Sequence, residues 1–272
     1  MTKGERAGVI PGPLSYGGPV IDLHTHILPG LDDGARSLEE SVAMARSAVA
    51  DGVRVIAATP HVRDDYPTRA TEMEAGVAEL REALSADGVE LDVLTGGEIA
   101  LDRLALLDAD ELADFGLAGN RKYVLLEFPY YGWPLDLETR AFELRSKGFV
   151  VVLAHPERNA EVQSAPDRLQ RLVERDAMVQ LTAASLDGRL GRTSRRTAFR
   201  LLELDLAHLL ASDAHNPEVR AVGLRSAAEA VGDVALARWL TEDVPGAIVA
   251  GDRIPDRPPG RRSRRLRRFV SG

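Results

Sequence analysis

Apolar and polar positions fall in repeating blocks along this chain. Seven short apolar runs of strand character recur: "VIDL" (20–23), "VRVIAA" (53–58), "ELDVLT" (90–95), "KYVLLE" (122–127), "FVVVLA" (149–154), "AMVQLT" (177–182) and "AHLLAS" (207–212). Each is followed by polar residues and then by a stretch of helical periodicity. The first helix is predicted to start at Ser37, with Glu40 three residues on as a capping box, and to stop at Gly52. Others are predicted over about 69–86, 134–147, 166–176, 192–204 and 218–231. Strand and helix in alternation imply an α/β fold, a parallel sheet with helical crossovers. Seven or eight such units imply a closed barrel rather than an open sheet.

Composition narrows the setting. With 272 residues, 44% apolar and 28% charged, the chain suits one large domain. We expect that domain over 19–250, between a Gly/Pro-rich flexible arm (1–18) and an Arg-rich, disordered tail (251–272). No apolar run reaches membrane-spanning length, and the first residues lack a signal-peptide pattern, so a cytoplasmic protein is expected. There is no cysteine, which removes disulfides, thiolate metal sites and a cysteine nucleophile together. The net charge of −8 is unevenly spread. Residues 253–268 carry eight arginines against one aspartate, leaving −15 on the rest. Such a body is a poor binder of nucleic acid, and none is expected as partner. The tail "RRSRRLRRFV" reads as a solvated end, with an anionic membrane or an acidic partner as its candidate contacts.

In a parallel barrel the loops at the C-terminal strand ends converge on one mouth, so the residue following each run is informative. After the first come His24, His26, Asp32 and Asp33; after the second, His61; after the third, Glu98. Glu127 closes the fourth and precedes "FPYYGWP"; His155 and Arg158 follow the fifth; the sixth offers Thr182 and Ser185; Asp213 and His215 follow the seventh. Five of the six histidines therefore stand just past a strand. His208 lies inside one and reads as a packed or hydrogen-bonded core histidine. One of the two adjacent aspartates fits an ordinary turn before Gly34. An ionised Glu closing an apolar strand is costly unless paired or liganded. Histidine at four exits, with carboxylates beside them or at the exits between, points to a multinuclear metal centre. Imidazole and carboxylate without sulfur suit manganese, iron or zinc.

The motifs "DLHTHILPGLDDG", "ATPHVRDD", "GGEI", "LLEFP", "LAHPERN" and "ASDAHNPEVR", in this order, resemble the polymerase-and-histidinol-phosphatase (PHP) superfamily. Within it they are most similar to the bacterial metal-dependent protein tyrosine phosphatases of the CpsB/CapC group, which act on tyrosine kinases of capsular and extracellular polysaccharide synthesis. The resemblance implies a distorted seven-stranded (β/α)7 TIM-like barrel, a single PHP domain, with three divalent ions, expected to be Mn2+, with Fe or Zn as alternatives. Carried over, His24, His26, Glu98 and Asp213 hold the first ion. Glu98, Glu127 and His155 hold the second, and Asp33, His61 and His215 the third. Arg158 and Arg220 match the arginines that bind the phosphate. At the second motif Val62 and Arg63 follow His61, where several family members carry a second basic residue or histidine beside the ligand.

The expected activity is hydrolysis of phosphotyrosine by a metal-activated hydroxide, with His61 or His215 assisting the leaving group. The expected partner is a phosphotyrosine protein, the autophosphorylated tail of a tyrosine kinase. Tyr130, Tyr131 and Trp133 are candidates to line the mouth and stack on the phosphotyrosine ring, or to form a hydrophobic patch between loop and barrel. The alternatives are a small-molecule phosphatase acting on histidinol phosphate and a non-catalytic, metal-stabilised module that binds a kinase tail. A nuclease has only the arginine tail in its favour.

Overall fold

A computed structural model describes residues 18–127, 129–218 and 220–259. Among them nine strands form two sheets, every pairing parallel. The three-stranded sheet runs β1 (Val20–Thr25), β2 (Val53–Ala58), β4 (Asp92–Leu94). The six-stranded sheet runs β3 (His61–Val62), β5 (Glu98–Ala100), β6 (Tyr123–Glu127), β7 (Val150–Ala154), β8 (Met178–Thr182), β9 (Leu209–Ala211). Every residue of β6, β8 and β9 is buried, as expected where helices cover the faces of a parallel sheet.

The seven expected runs all contain a strand; the two additional ones, β3 and β5, have a local cause. Thr59 and Pro60 separate β2 from β3, and Pro60 has no N–H for a ladder. Thr95, Gly96 and Gly97 separate β4 from β5. A Cβ on Gly97 would stand 2.6 Å from the Phe115 ring, so this break requires glycine. Strands of two and three residues are too short to give a period in the sequence. Pairing β3 to β5 nevertheless sets His61 beside Glu98 in register, and β5 to β6 sets Ala100 beside Glu127.

β1 also meets β9. The Asp213 N–H donates to the His24 carbonyl at 2.9 Å, His26 N–H donates to the Ala214 carbonyl at 2.8 Å, and a parallel bridge joins Thr25 to Ala214. Buried Asp22 accepts from Ser212 N–H at 2.9 Å and ties the same strands, with burial pushing its carboxyl up to about 6.

Helix Leu38–Asp51 starts and stops as expected, with Gly52 in the left-handed region. Ser37 caps Glu40 N–H, but Glu40 reaches back to Arg36 N–H rather than to Ser37. Helices Ala70–Ala86, Leu137–Ser146 and Gly191–Glu203 fall within two or three residues of expectation. The segment 166–176 breaks into a 3-10 turn, Pro166–Leu169, and one short helix, Gln170–Val173. Helix Leu224–Val231 begins later than expected, because Glu218 N–H and Arg220 N–H both donate to the Asn216 side chain instead of entering a helical ladder.

The chain beyond residue 231 continues as helix, through a π-turn at Trp239–Asp243 and helix Val244–Ala250, packed on β1 and β9. Sequence reasoning ends the domain at residue 250, yet residues 251–259 run as a held strap. Arg257 donates to the carbonyls of Ala207 and Leu202 and pairs with Asp205 at 3.0 Å, while Trp239 Nε1 donates to the Pro255 carbonyl at 2.9 Å. The arm through residue 17 and the tail from residue 260 lie outside the described residues. No helix among those described is long and apolar enough to cross a membrane.

His208 stands just before β9, its Nδ1 accepting from Val179 N–H at 3.2 Å. Burial, reinforced by the charge of Arg257, lowers its pKa to about 4. A depressed imidazole gives stability that is complete above its unfolded pKa near ~6.5 and is lost as pH falls toward 4. Between pH 7 and pH 5 the protein should lose about 2 kcal/mol more stability than a His208→Gln variant, whose amide oxygen keeps the bond. Urea unfolding of both at the two pH values measures the difference.

Candidate metal centre

The strand ends deliver nine side chains to one place. His24 lies on β1 one residue before its end and His26 just past it, both completely buried. Their chain then doubles back. Ala35 N–H donates to the His26 carbonyl at 3.0 Å, and a Cβ on Gly34 would fall 2.0 Å from that oxygen, so only glycine fits. The Nε2 atoms of His24 and His26 lie 3.2 Å apart. Glu98 Oε2 is 3.4 Å from each, and Asp213 Oδ1 is 3.6 Å from the first and 3.3 Å from the second. Asp213 (φ 53°) and His155 (φ 36°) both adopt left-handed backbone where their strands end, the kind of strain found at functional sites.

Around Glu98 the rest converge. His155 Nε2 lies 2.9 Å from Glu98 Oε1, and His61 Nδ1 lies 2.9 Å from Glu98 Oε2 and 3.5 Å from Glu127 Oε2. On its other side His61 Nε2 approaches Asp33 Oδ1 at 3.4 Å, and His215 Nε2 reaches the same oxygen at 3.3 Å. Four sets of donors each lie within 4.8 Å of one another: His24, His26 and Asp213; His24, Glu98 and His155; His61, Glu98 and Glu127; His26, Asp33, His61 and His215. His61 Nδ1 and Glu98 Oε2 are buried and approach closely without forming a hydrogen bond. Two such atoms, both aimed at one gap, suit cation ligands better than partners of each other.

The outward ring nitrogens are fixed separately. His24 Nδ1 donates to Gln180 Oε1 at 3.0 Å, His26 Nδ1 to Asp32 Oδ2 at 2.6 Å, and His215 Nδ1 to the Asp213 carbonyl at 2.9 Å. Each bond selects the tautomer whose Nε2 lone pair faces inward. Asp32 therefore does more than turn the chain: it also accepts from His61 N–H and Gly34 N–H, both at 2.9 Å. Gln180 is a partner of the cluster that the sequence reading missed. The available signal was a lone amide within an apolar strand, which must find a partner once buried.

Electrostatics agree with the geometry. Burial opposes the charge on Glu98 and Asp213, yet the surrounding imidazoles hold both well below the usual carboxylate range. Glu127, deeply placed and beside Glu98, is pushed up to about 7. Burial disfavours the His26 imidazolium, but Asp32 pulls its pKa well above normal. Burial and then Arg158 drive His155 down to about 4.

Arg158 Nη1 donates to Asp213 Oδ2 at 2.5 Å and Arg220 Nη2 to the same oxygen at 3.1 Å, so both guanidinium groups sit at one edge of the cluster. Tyr130 lies beneath Arg158, ring to guanidinium 4.8 Å. Tyr131 projects into solvent, and Trp133 packs against the core with Arg168 over its ring at 5.0 Å. Arg63 places Nη1 3.4 Å from Glu127 and lies over Tyr66. Thr182 and Ser185 stay out of the cluster. Thr182 N–H and the Ser185 hydroxyl donate to buried Glu157 at 2.9 and 2.7 Å, tethering the turn that carries Arg158.

The family model for capsular polysaccharide synthesis, CpsB/CapC, matches residues 20–238. The chain belongs to the CpsB/CapC family. Tyrosine-protein phosphatase YwqE of Bacillus subtilis is 39% identical over 202 residues, covering 74% of this chain and 79% of that protein. Tyrosine-protein phosphatase CpsB of Streptococcus pneumoniae is 28% identical over 209 residues, 74% and 85% of the two chains. A crystal structure from work on YwqE and CpsB, described as unique metal-dependent tyrosine phosphatases, superposes with a TM-score of 0.79 at 33% identity, covering 89% of this chain and 100% of the other. A β-aspartyl dipeptidase of Fervidobacterium islandicum shares the fold alone, with a TM-score of 0.53 at 13% identity. The matched span contains every strand end that builds this cluster.

Replacing Asp32 by Ala frees the His26 ring and should weaken divalent-metal binding about 10–100-fold. Titration of the metal-stripped protein with Mn2+, followed by calorimetry, reads this directly.

Proposed function

We propose that this protein is a metal-dependent protein-tyrosine phosphatase that releases phosphate from a phosphotyrosine protein, a tyrosine kinase tail in capsular or extracellular polysaccharide synthesis, and that it works in the cytoplasm. The reading rests on one observation: five imidazoles, four carboxylates and two guanidinium groups meet at one end of the strands of a chain that has no cysteine. The two sheets constitute a single distorted seven-stranded barrel, because β2 and β3, and likewise β4 and β5, are consecutive pieces of one course of chain.

Three divalent ions, manganese first among the candidates, fit the donor sets. His24, His26, Glu98 and Asp213 would hold one, Glu98 and Glu127 with His155 a second, and Asp33, His61 and His215 a third; Glu127 and His155 share no close donor set of their own and are linked through Glu98. His61 Nδ1 stands nearest the second set as well. When bound, such ions lower the pKa of water and neutralise charge on a phosphoryl group.

The protein's own groups do the rest. Arg158 and Arg220, held at the Asp213 edge, turn their planar forks to the phosphoryl oxygens, for which a guanidinium is better shaped than an ammonium. Glu157 and Asp213 keep Arg158 in place before substrate arrives. Both ring nitrogens of His61 and of His215 already face carboxylates or a carbonyl, so we assign these residues to ligation and not to proton donation. A phenolate with a pKa near ~10 leaves with little protonic help.

EDTA should abolish hydrolysis of p-nitrophenyl phosphate and of a phosphotyrosine peptide, and Mn2+ should restore both. Full activity after rigorous chelation would overturn the metal reading, and a preference for histidinol phosphate over the peptide would move the substrate to the small-molecule class. Arg158→Ala should lower turnover about 10²–10³-fold with metal content retained, as measured by elemental analysis beside the assay.

A further inference from the structure

The loop after β6 carries apolar side chains in the open, and its backbone is fastened. Leu135 is 97% exposed and Tyr131 83% exposed, while Tyr130 is 39% exposed. Folding gains little from apolar groups left in water, and such groups clustered on a rigid element mark a contact surface. Buried Asn159 does the fastening. Its Nδ2 donates to the carbonyls of Pro129 at 2.5 Å and Gly132 at 3.0 Å, and the next N–H, of Ala160, donates to the Tyr130 carbonyl at 2.9 Å. Its Oδ1 meanwhile accepts from Glu161 and Val162 N–H at 2.9 and 3.1 Å, capping helix Ala160–Ser164. One amide thus locks the apolar loop to the segment that bears Arg158.

Behind the loop lies a cleft of about 390 Å3, lined by Arg63, Leu101, Glu127, Pro129, Tyr130 and Pro134 among others. Glu127 belongs to both the cleft and the metal cluster, so the two are continuous. Leu135 follows Pro134 at the rim, and Tyr131 follows Tyr130.

We infer that this cleft and its rim form a docking surface for an extended phosphotyrosine polypeptide with an apolar residue beside the phosphotyrosine, and that Asn159 is the positioning residue for it. This rests on the phosphatase reading above. A polypeptide is the occupant favoured because its chain continues beyond the phosphorylated ring and can cover Tyr131 and Leu135. A small phosphate monoester seated at the ions ends before the rim. Continuity through Glu127, with Tyr130 packed beneath Arg158, carries the ring of a bound residue from the cluster directly into the apolar cleft.

The test compares kcat/KM for two substrates, a phosphotyrosine peptide with leucine next to the phosphotyrosine and p-nitrophenyl phosphate, in the manganese-loaded full chain. Leu135→Asp and Asn159→Asp are the variants; the second keeps the helix cap and removes the Nδ2 donor. The ratio of peptide to p-nitrophenyl phosphate should fall about tenfold in each, ~1.4 kcal/mol. A ratio within about twofold of the wild type, ~0.4 kcal/mol, in Leu135→Asp overturns the docking surface, and that variant decides the matter should Asn159→Asp fail to fold. The same ratio held in a folded Asn159→Asp overturns the role of Asn159. A wild-type protein that hydrolyses p-nitrophenyl phosphate but no phosphotyrosine peptide overturns the functional reading itself.

Discussion

Four carboxylates and five imidazoles share one end of this fold, and all but Asp33 are buried. Collecting that much acceptor capacity away from water costs more than any single contact returns, unless positive charge enters among them. The arrangement depends on this balance. Glu98 stands at its middle, within reach of His24, His26, His61 and His155. Protonated imidazoles can hold its charge in part, but each proton blocks a nitrogen whose geometry is that of a ligand. Removing one carboxylate from such a set alters the demand on all the others, so the nine side chains are better regarded as one electrostatic unit than as separate groups.

The supporting layer explains how flexible side chains keep that geometry. Gln180 on β8, Asp32 on the returning loop and the Asp213 carbonyl each fix one imidazole through the nitrogen facing away from the cluster. Glu157 does the same for the Arg158 turn by bonding across to the end of β8. The strand end that contributes no ligand thus contributes orientation. A parallel sheet makes this economical, because neighbouring strand ends lie side by side, whatever their distance in sequence.

Much of this was legible in the chain, since parallel strands buried on both faces leave uninterrupted apolar runs and polar residues concentrate at their exits. The convergence of His24, His26, His61, Glu98, Glu127, His155, Asp213 and His215 needed only that rule. What escaped notice lacked either length or pattern. β3 and β5 hold two and three residues, below any measurable period. Helix Ala109–Asp114 hides behind its own capping carboxylates. Trp133 was expected either at the ring-binding mouth or in a hydrophobic patch between loop and barrel; it packs partly buried against the core, and Arg168, 35 positions away in sequence, covers its ring, a partner that no local signal reports. The two adjacent aspartates divide as a turn former and a cluster member, and Asp32 adds an imidazole partner that only the fold could supply.

The strap formed by residues 251–259 has an orientational consequence. Arg257 fastens it to the Ala207 and Leu202 carbonyls, on the side where β9 begins, whereas the ligands gather where the parallel strands finish. The described chain therefore ends at the pole of the molecule opposite the cluster. A contact made on that strap meets the fold from behind and leaves the opening with its histidines and carboxylates pointing outward, toward the medium, like a lamp fixed to a wall by its base.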